Sequence, residues 1–267
     1  MPATEPYLID IAAVLRSKLG DKAPKWLIRL AKKLLHEDFL NTYFKEGYTG
    51  VEFAEKALEY MSIKLQVEGM ENIPTDRLVT VASNHPLGGH DALALVSIFG
   101  KVYDGNVRIL VNDFLMALKQ LNGIFVPVNK VGGQSRGLSA QTEGIFSSDA
   151  QILFFPAGKC ARRIDGKIQD PAWKKTFITK SVEYQRDVVP IHFGGQNSNF
   201  FYRLSGFCDK HIKKVNIAML FLVDEMYKNV HKTFRVSIGK PIPWQTFDKS
   251  KTPAQWAQYV QDIVYQL

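Results

Sequence analysis

Cysteine is scarce: 267 residues hold only Cys160 and Cys208. Two thiols in a chain of this length exclude a disulfide framework, and they read as reduced, structural side chains. Cys160 as a nucleophile would need a base and an electropositive setting. Arg162 and Arg163 supply the charge, but no base stands beside it in the sequence. Long apolar runs are missing as well. Residues 217–223 form the longest in the C-terminal half, far short of the ~18–20 that cross a bilayer. The chain begins with Glu5 and Asp10 and no basic tip before an apolar stretch, so no cleavable signal is expected. Both absences predict a cytoplasmic location. No nucleic-acid-binding motif with aromatics among its basic runs is present.

What is present begins with charge. Lys and Arg number 34 against 26 acidic residues, a net charge of +8 that favours polyanionic partners. Hydrophobic residues make up 46%, enough for a large folded core. Residues 8–45 read as helical, broken at Gly20-Asp21 and restarted by Pro24. In the second helix Leu27, Leu30, Ala31, Leu34 and Leu35 share one face, while Lys25, Arg29, Lys32 and Lys33 occupy the other and Trp26 stands near the start. That composition fits a helix lying in a bilayer surface, and equally a core-packing helix with a basic outer face.

After a further helix at 51–61 the texture changes. Strand-like runs at 77–82, 107–111, 123–128, 151–155, 188–193 and 234–238 alternate with helical stretches at 91–99, 114–121, 135–147 and 172–186, and a last helix spans 253–267. This predicts an α/β fold: a mixed, largely parallel sheet flanked by helices, preceded by an amphipathic helical pair. The expected division is a membrane-associating helical segment at 1–62 and a catalytic α/β domain at 63–267.

The most informative stretch is Ser83-Asn84-His85-Pro86-Leu87-Gly88-Gly89-His90-Asp91. It follows a strand and precedes a helix, where ligands gather in α/β sheets. The two glycines let the loop turn back, so that the Asp91 carboxylate could reach an imidazole nitrogen of His85 and leave the other free as a base. Asp91 is also a favoured helix N-cap, and His85 and His90 are compatible with ordinary loop positions or weak metal ligands. Local features leave both readings open.

Four blocks in order then resemble the motifs of the glycerolipid acyltransferases, the lysophosphatidic-acid acyltransferase (PlsC-like) family: Asn84-His85…Asp91, Gly123-Ile124-Phe125-Val126, Phe155-Pro156-Ala157-Gly158 and Val189-Pro190-Ile191. The resemblance covers roughly residues 60–240. It implies transfer of a fatty acyl group from acyl-CoA or acyl carrier protein to a lipid hydroxyl at a membrane surface, without cofactor, metal or nucleic acid. It implies His85 as base and Asp91 as its orienting partner. Asn84, Gly88, Gly89, Phe125, Phe155, Pro156 and Gly158 fall on the motifs as candidate substrate-binding residues.

Three departures matter. Four residues usually stand between the family's His and Asp, and here five intervene, an insertion the Gly88-Gly89 pair can absorb. The Arg that ends the second motif is replaced by Pro127-Val128, leaving Lys130 or Arg136 as substitutes. The third motif has Ala157 where Glu is usual, followed by Lys159, Arg162 and Arg163 as candidates for binding phosphate or carboxylate. Val128 and Ala157 motivate an acceptor other than lysophosphatidic acid, such as an N-acylated amino-acid lipid with a hydroxyl and a carboxylate. The rivals are a hydrolase using the same pair on water and a non-catalytic lipid-binding protein. Farther on, Gln196, Asn197 and Ser198 lie in a polar loop, where Ser198 or Asn199 would cap a helix.

Overall fold

The computed structural model describes residues 6–20, 23–127, 142–211 and 220–267. Four helices come first: α1 (Ile11–Leu19), α2 (Lys25–Leu34), α3 (Glu37–Phe44) and α4 (Gly50–Tyr60). Strands β1 (Lys64–Glu68) and β2 (Val79–Ser83) follow, then α5 (His90–Val102), β3 (Val107–Val111), β4 (Phe125–Pro127) and β5 (Gln151–Phe154). The hairpin β6 (Arg162–Ile164) and β7 (Lys167–Gln169) leads to α6 (Thr176–Glu183), β8 (Asp187–Phe193), α7 (Asn199–His211), α8 (Phe221–Lys228), β9 (Thr233–Ile238) and α9 (Pro253–Val264).

Seven strands form one mixed sheet in the order β1-β9-β8-β2-β5-β3-β4. All neighbours are parallel except β8 and β9. Strand β2 sits at the centre with every residue buried, as the near-continuous apolar run of a doubly covered parallel strand requires. The chain leaves β2 through α5 toward β3, while β8 pairs on the other side. The carboxyl end of β2 is therefore the place where chain direction diverges and a crevice opens.

Some elements depart from expectation. Residues 114–121 are two 3-10 turns, Asp113–Ala117 and Lys119–Leu121, rather than one helix. Of the helix expected at 135–147, residues 142–146 are helical and 135–141 lie outside the described residues, as do Val128, Lys130 and Arg136. Strand β1 escaped sequence reading because Lys64, Gln66 and Glu68 face solvent on a sheet edge, leaving only Leu65 and Val67 as an apolar signal. The β6–β7 hairpin carries a signal that was readable: Asp165-Gly166, both at positive φ, is the residue pair favoured by tight hairpin turns.

One core runs beneath the sheet and across residue 62. Tyr43, Phe44, Phe53, Ala54, Ala57, Leu58 and Met61 pack with Val79, Val81, Phe99, Ile109 and Val236. A second cluster on the opposite face joins Ala82, Ala157, Trp173, Phe177, Trp256 and Val260. Helix α2 buries Ile28 against Ala12 and Ala23 and leaves Trp26 66% and Leu30 55% exposed. It also contacts α8, where His36 Nε2 lies 2.9 Å from Asp224 Oδ1 and the His36 ring stacks on Tyr227. Among the described residues no helix is long and apolar enough to cross a membrane.

Candidate active site

The loop from Asn84 to Gly89 connects the end of β2 to the start of α5, and its backbone is held from several sides. The Asn84 side chain clamps β2 to β8: its amide donates to Phe193 O at 2.9 Å and its carbonyl accepts from Phe193 N at 2.6 Å. Asn84 thus ties the two strands together, and it also lines the cleft beside the loop. His85 N donates to both oxygens of Asp170 at 3.2 Å, and His85 O accepts from Ala161 N at 2.8 Å. Asn197 donates to Pro86 O at 3.2 Å and Leu87 O at 3.4 Å.

On that base the two expected side chains meet. His85 Nδ1 lies 3.0 Å from Asp91 Oδ2. Asp91 is fully buried and does not act as the helix N-cap, a position taken by Gly89. Its Oδ2 also accepts from Leu87 N at 3.0 Å and Gly88 N at 3.1 Å, and Oδ1 accepts from Ala92 N at 2.9 Å. Burial pushes the Asp91 carboxyl upward, but His85 and these backbone donors outweigh it and hold it below its ordinary value. Burial pushes His85 downward, yet the adjacent Asp91 carboxylate and the Cys160 thiol raise it well above the usual imidazole range. A carboxylate acceptor at Nδ1 fixes the proton there and leaves Nε2 as the basic nitrogen.

The five intervening residues fit because both glycines are needed. Gly88 has φ +84°, and a Cβ there would fall 2.5 Å from Cys160 Sγ and 2.9 Å from Leu222 Cδ1. A Cβ on Gly89 would run into Met226 of α8. The loop thus turns back under α8 only without side chains at these two positions.

The third block lies alongside. Phe155 stacks its ring on His85 with centroids 4.0 Å apart. Pro156 O accepts from Lys174 N, and Gly158 closes the turn at φ +68°. Ala157 is buried in the apolar cluster around Trp173 and Phe177, where a carboxylate would lie among nonpolar side chains. The basic residues that follow are largely engaged. Lys159 Nζ and Arg162 Nε both lie 2.9 Å from Asp209 Oδ2, and buried Arg162 also donates to Cys160 O and Ala161 O. Arg163 reaches Asn199. The expected anion cluster is, for Arg162, an internal brace of the turn. Phe125 is a core residue of β4, three strands from β2 and so about 14 Å away at the usual ~4.8 Å spacing.

Three residues of the site carried no decisive sequence signal. Asp170 is buried, accepts from His85 N and Trp173 Nε1, and is raised to about 6, chiefly by burial. Asn197 holds the loop carbonyls, and Cys160 Sγ lies against the Gly88 turn. Ser198 caps α7 as expected, its hydroxyl accepting from Phe201 N at 3.2 Å. Beside the loop a cleft of about 280 Å³ is lined by Pro86, Ala161, Ile168, His192, Gln196 and Tyr265.

An imidazole paired with a buried carboxylate beside a cleft is an arrangement that can move a proton, and the chain as a whole is similar to known proteins. Two proteins named lyso-glycine lipid O-acyltransferase, from Phocaeicola vulgatus and Bacteroides thetaiotaomicron, are each 52% identical over 266 residues. The alignment covers 98% of this chain and 95% and 98% of theirs. The fold is similar to that of the 1-acyl-sn-glycerophosphate acyltransferase PlsC from Thermotoga maritima. Their TM-score is 0.53 at 18% identity, over 81% of this chain and 75% of the other. The sequence model of the acyltransferase family matches residues 8–267, and the chain belongs to that family.

Proposed function

We propose that this acyltransferase moves a fatty acyl group from a thioester donor, acyl-CoA or acyl carrier protein, to the hydroxyl of a lyso-glycine lipid. The observation that carries the chemistry is the 3.0 Å contact between His85 Nδ1 and Asp91 Oδ2 in a loop tied down on every side. His85 Nε2 takes the proton from the acceptor hydroxyl as its oxygen attacks the thioester carbonyl. Asp91 stabilises the imidazolium that forms. The tetrahedral intermediate collapses, the carbon–sulfur bond breaks, and His85 returns the proton to the departing thiolate. General-base assistance of this kind contributes roughly 10²–10⁴ in rate. No cofactor enters the scheme.

The acceptor assignment rests on the two relatives, which carry that name at 52% identity, and on Ala157 and the Asp209-bound Lys159 and Arg162. Both cations are held by one carboxylate rather than extended toward a ligand, although two positive charges against one leave that corner basic. The cleft next to Pro86 suits a small polar head group, with His192, Gln196 and Tyr265 as its polar lining.

The enzyme works at the inner face of the cytoplasmic membrane. Exposed Trp26 and Leu30 on α2, flanked by Lys25, Arg29, Lys32 and Lys33, form an apolar ridge with basic shoulders suited to an anionic bilayer. Helix α2 contacts α8, and Leu222 of α8 touches the Gly88 turn, so the membrane-facing helix is one layer from the reactive loop.

The test supplies acyl-CoA or acyl carrier protein thioesters with either a lyso-glycine lipid or lysophosphatidic acid in vesicles. Acylation of the glycine lipid is expected, with turnover nearly abolished in His85→Ala and vesicle binding retained. A clear preference for lysophosphatidic acid would overturn the acceptor, and wild-type turnover by His85→Ala would overturn the mechanism.

A further inference from the structure

Helix α7 carries a surface that the acyl-transfer scheme leaves without a role. Its inward side is settled: Phe201, Tyr202, Ser205 and Cys208 are buried. At 3.6 residues per turn the outward side brings Phe200, Arg203, Phe207, Lys210 and His211 into one exposed stripe. Phe200 and Phe207, two turns apart, are 53% and 56% exposed, although phenylalanine belongs among the residues most often buried. The single acidic residue of α7, Asp209, lies off this stripe and is bound to Lys159 and Arg162. The stripe is therefore two aromatic rings among cations, with no acid.

That stripe joins the exposed side of α2 through α8, which contacts both helices. Two adjacent exposed residues of α8 make the join. The Tyr227 ring stacks on His36, just past the end of α2, with centroids 3.9 Å apart. Lys228 Nζ lies 5.9 Å from the centre of the Phe200 ring, and Phe200 also meets Phe221 with centroids 5.5 Å apart. On its inner side α8 sets Leu222 and Met226 against the Gly88 and Gly89 positions. The three helices thus form one outer layer over the reactive loop.

We propose that α7 is a second bilayer contact, so that the enzyme stands on an anionic membrane through α2 and α7 together, with α8 between them. The chemistry of the stripe selects this occupant. Phe200 and Phe207 suit the boundary between headgroups and acyl chains, and Arg203 and Lys210 suit the lipid phosphates beside it. An acidic protein surface would satisfy the cations but set both rings against charge. One contact at α2 leaves the molecule free to pivot about that helix. A second contact fixes the tilt and holds the loop beneath α8 at the level of the lipid acceptor. This rests on the membrane reading of α2 above and extends it.

The experiment mixes the full-length wild-type protein with vesicles of phosphatidylglycerol whose acyl chains carry a diazirine. After photolysis, crosslinked peptides are mapped by mass spectrometry. Crosslinks are expected in both α2 and α7. Phe200→Ser combined with Phe207→Ser should weaken vesicle binding about 10-fold. Arg203→Gln combined with Lys210→Gln should weaken it about 10-fold or more, with a reduced dependence on salt. Turnover of an acceptor embedded in vesicles should fall in step with binding. With a short-chain, water-soluble acceptor both pairs should stay within about twofold of wild type, an outcome that damage to the fold would not give. Crosslinks in α2 alone, with both α7 pairs binding like wild type, would overturn the second contact and leave the α2 reading standing. Crosslinks in neither helix would overturn both. Unchanged vesicle binding with turnover lost only for acyl carrier protein thioesters, and not for acyl-CoA, would assign the stripe to an acidic carrier protein and overturn the proposal.

Discussion

Replacing Asp91 by Asn changes one atom of the site, and its consequence can be worked out from the bonds around the carboxylate. Asp91 accepts four: His85 Nδ1, Leu87 N and Gly88 N on Oδ2, and Ala92 N on Oδ1. An amide offers one oxygen and one NH₂ group. With oxygen at the Oδ2 position three donors stay satisfied and the NH₂ meets Ala92 N–H. In the flipped orientation three donors face NH₂ and only Ala92 is served. The first wins by count, so Nδ1–H keeps its acceptor and the tautomer is preserved. What is lost is the charge beside the imidazolium, a bond worth about 1.5–3 kcal/mol, together with about 1–3 kcal/mol for the unpaired Ala92 donor in the folded state.

Only the first of these acts differentially on the transition state. At about 1.36 kcal/mol per decade it predicts a rate loss of roughly 10–10²-fold, while the second lowers the melting temperature by several degrees. The pH profile supplies an independent sign. Asp91 raises His85, and His85 must be neutral to act as a base, so wild-type activity should climb through a point above the ordinary imidazole value near 6.5. Without the carboxylate charge, burial dominates and lowers His85, so the acid limb should move to lower pH as the plateau falls. Steady-state rates from pH 5 to 9, with circular dichroism to verify folding, make the measurement. An acid limb that stays in place, or an undiminished plateau, would refute the reasoning.

Gly88→Ala should cost about 2–5 kcal/mol, combining a left-handed φ of +84° with a Cβ 2.5 Å from Cys160 Sγ, as chemical denaturation would register. Charging the exposed ridge of α2 with Trp26→Glu and Leu30→Glu should abolish flotation with anionic vesicles while leaving the melting temperature within about 2 °C, since both side chains are more than half exposed. Asp170, raised from 3.8 to about 6, binds a proton in the folded state across a pH range where the unfolded chain has released it. Its ionisation should therefore lower stability by up to about 3 kcal/mol as pH rises from 4 to 6. Asp170→Asn should remove that component, and a stability difference between the two proteins that is flat across this range would count against it.

Much of the sheet was legible in the sequence because buried parallel strands are written as unbroken apolar runs. β2, β3, β5, β8 and β9 all lie within two residues of where such runs predict them. The edge strand β1 was not, because three of its five residues answer to solvent. His85 and Asp91 were legible for a different reason. They sit six positions apart in one loop, so chain connectivity alone limits their separation, and two glycines announce that the loop must turn.

Connectivity says nothing about partners that arrive from elsewhere. Asp170 comes 85 residues after His85, and Asn197 more than 100 residues after the carbonyls it holds. Cys160 comes to lie against the Gly88 turn because β5 inserts next to β2, a strand order no local pattern encodes. The fate of Lys159 and Arg162 was decided the same way: an open anion-binding cluster and a brace held by a carboxylate have the same local sequence, and Asp209 on α7 distinguishes them. Local pattern fixed the periodicity of each element and the residues that could do chemistry. Packing of distant segments chose which of them are paired, buried and able to act, because burial and charge pairing depend on three-dimensional neighbours rather than on distance along the chain.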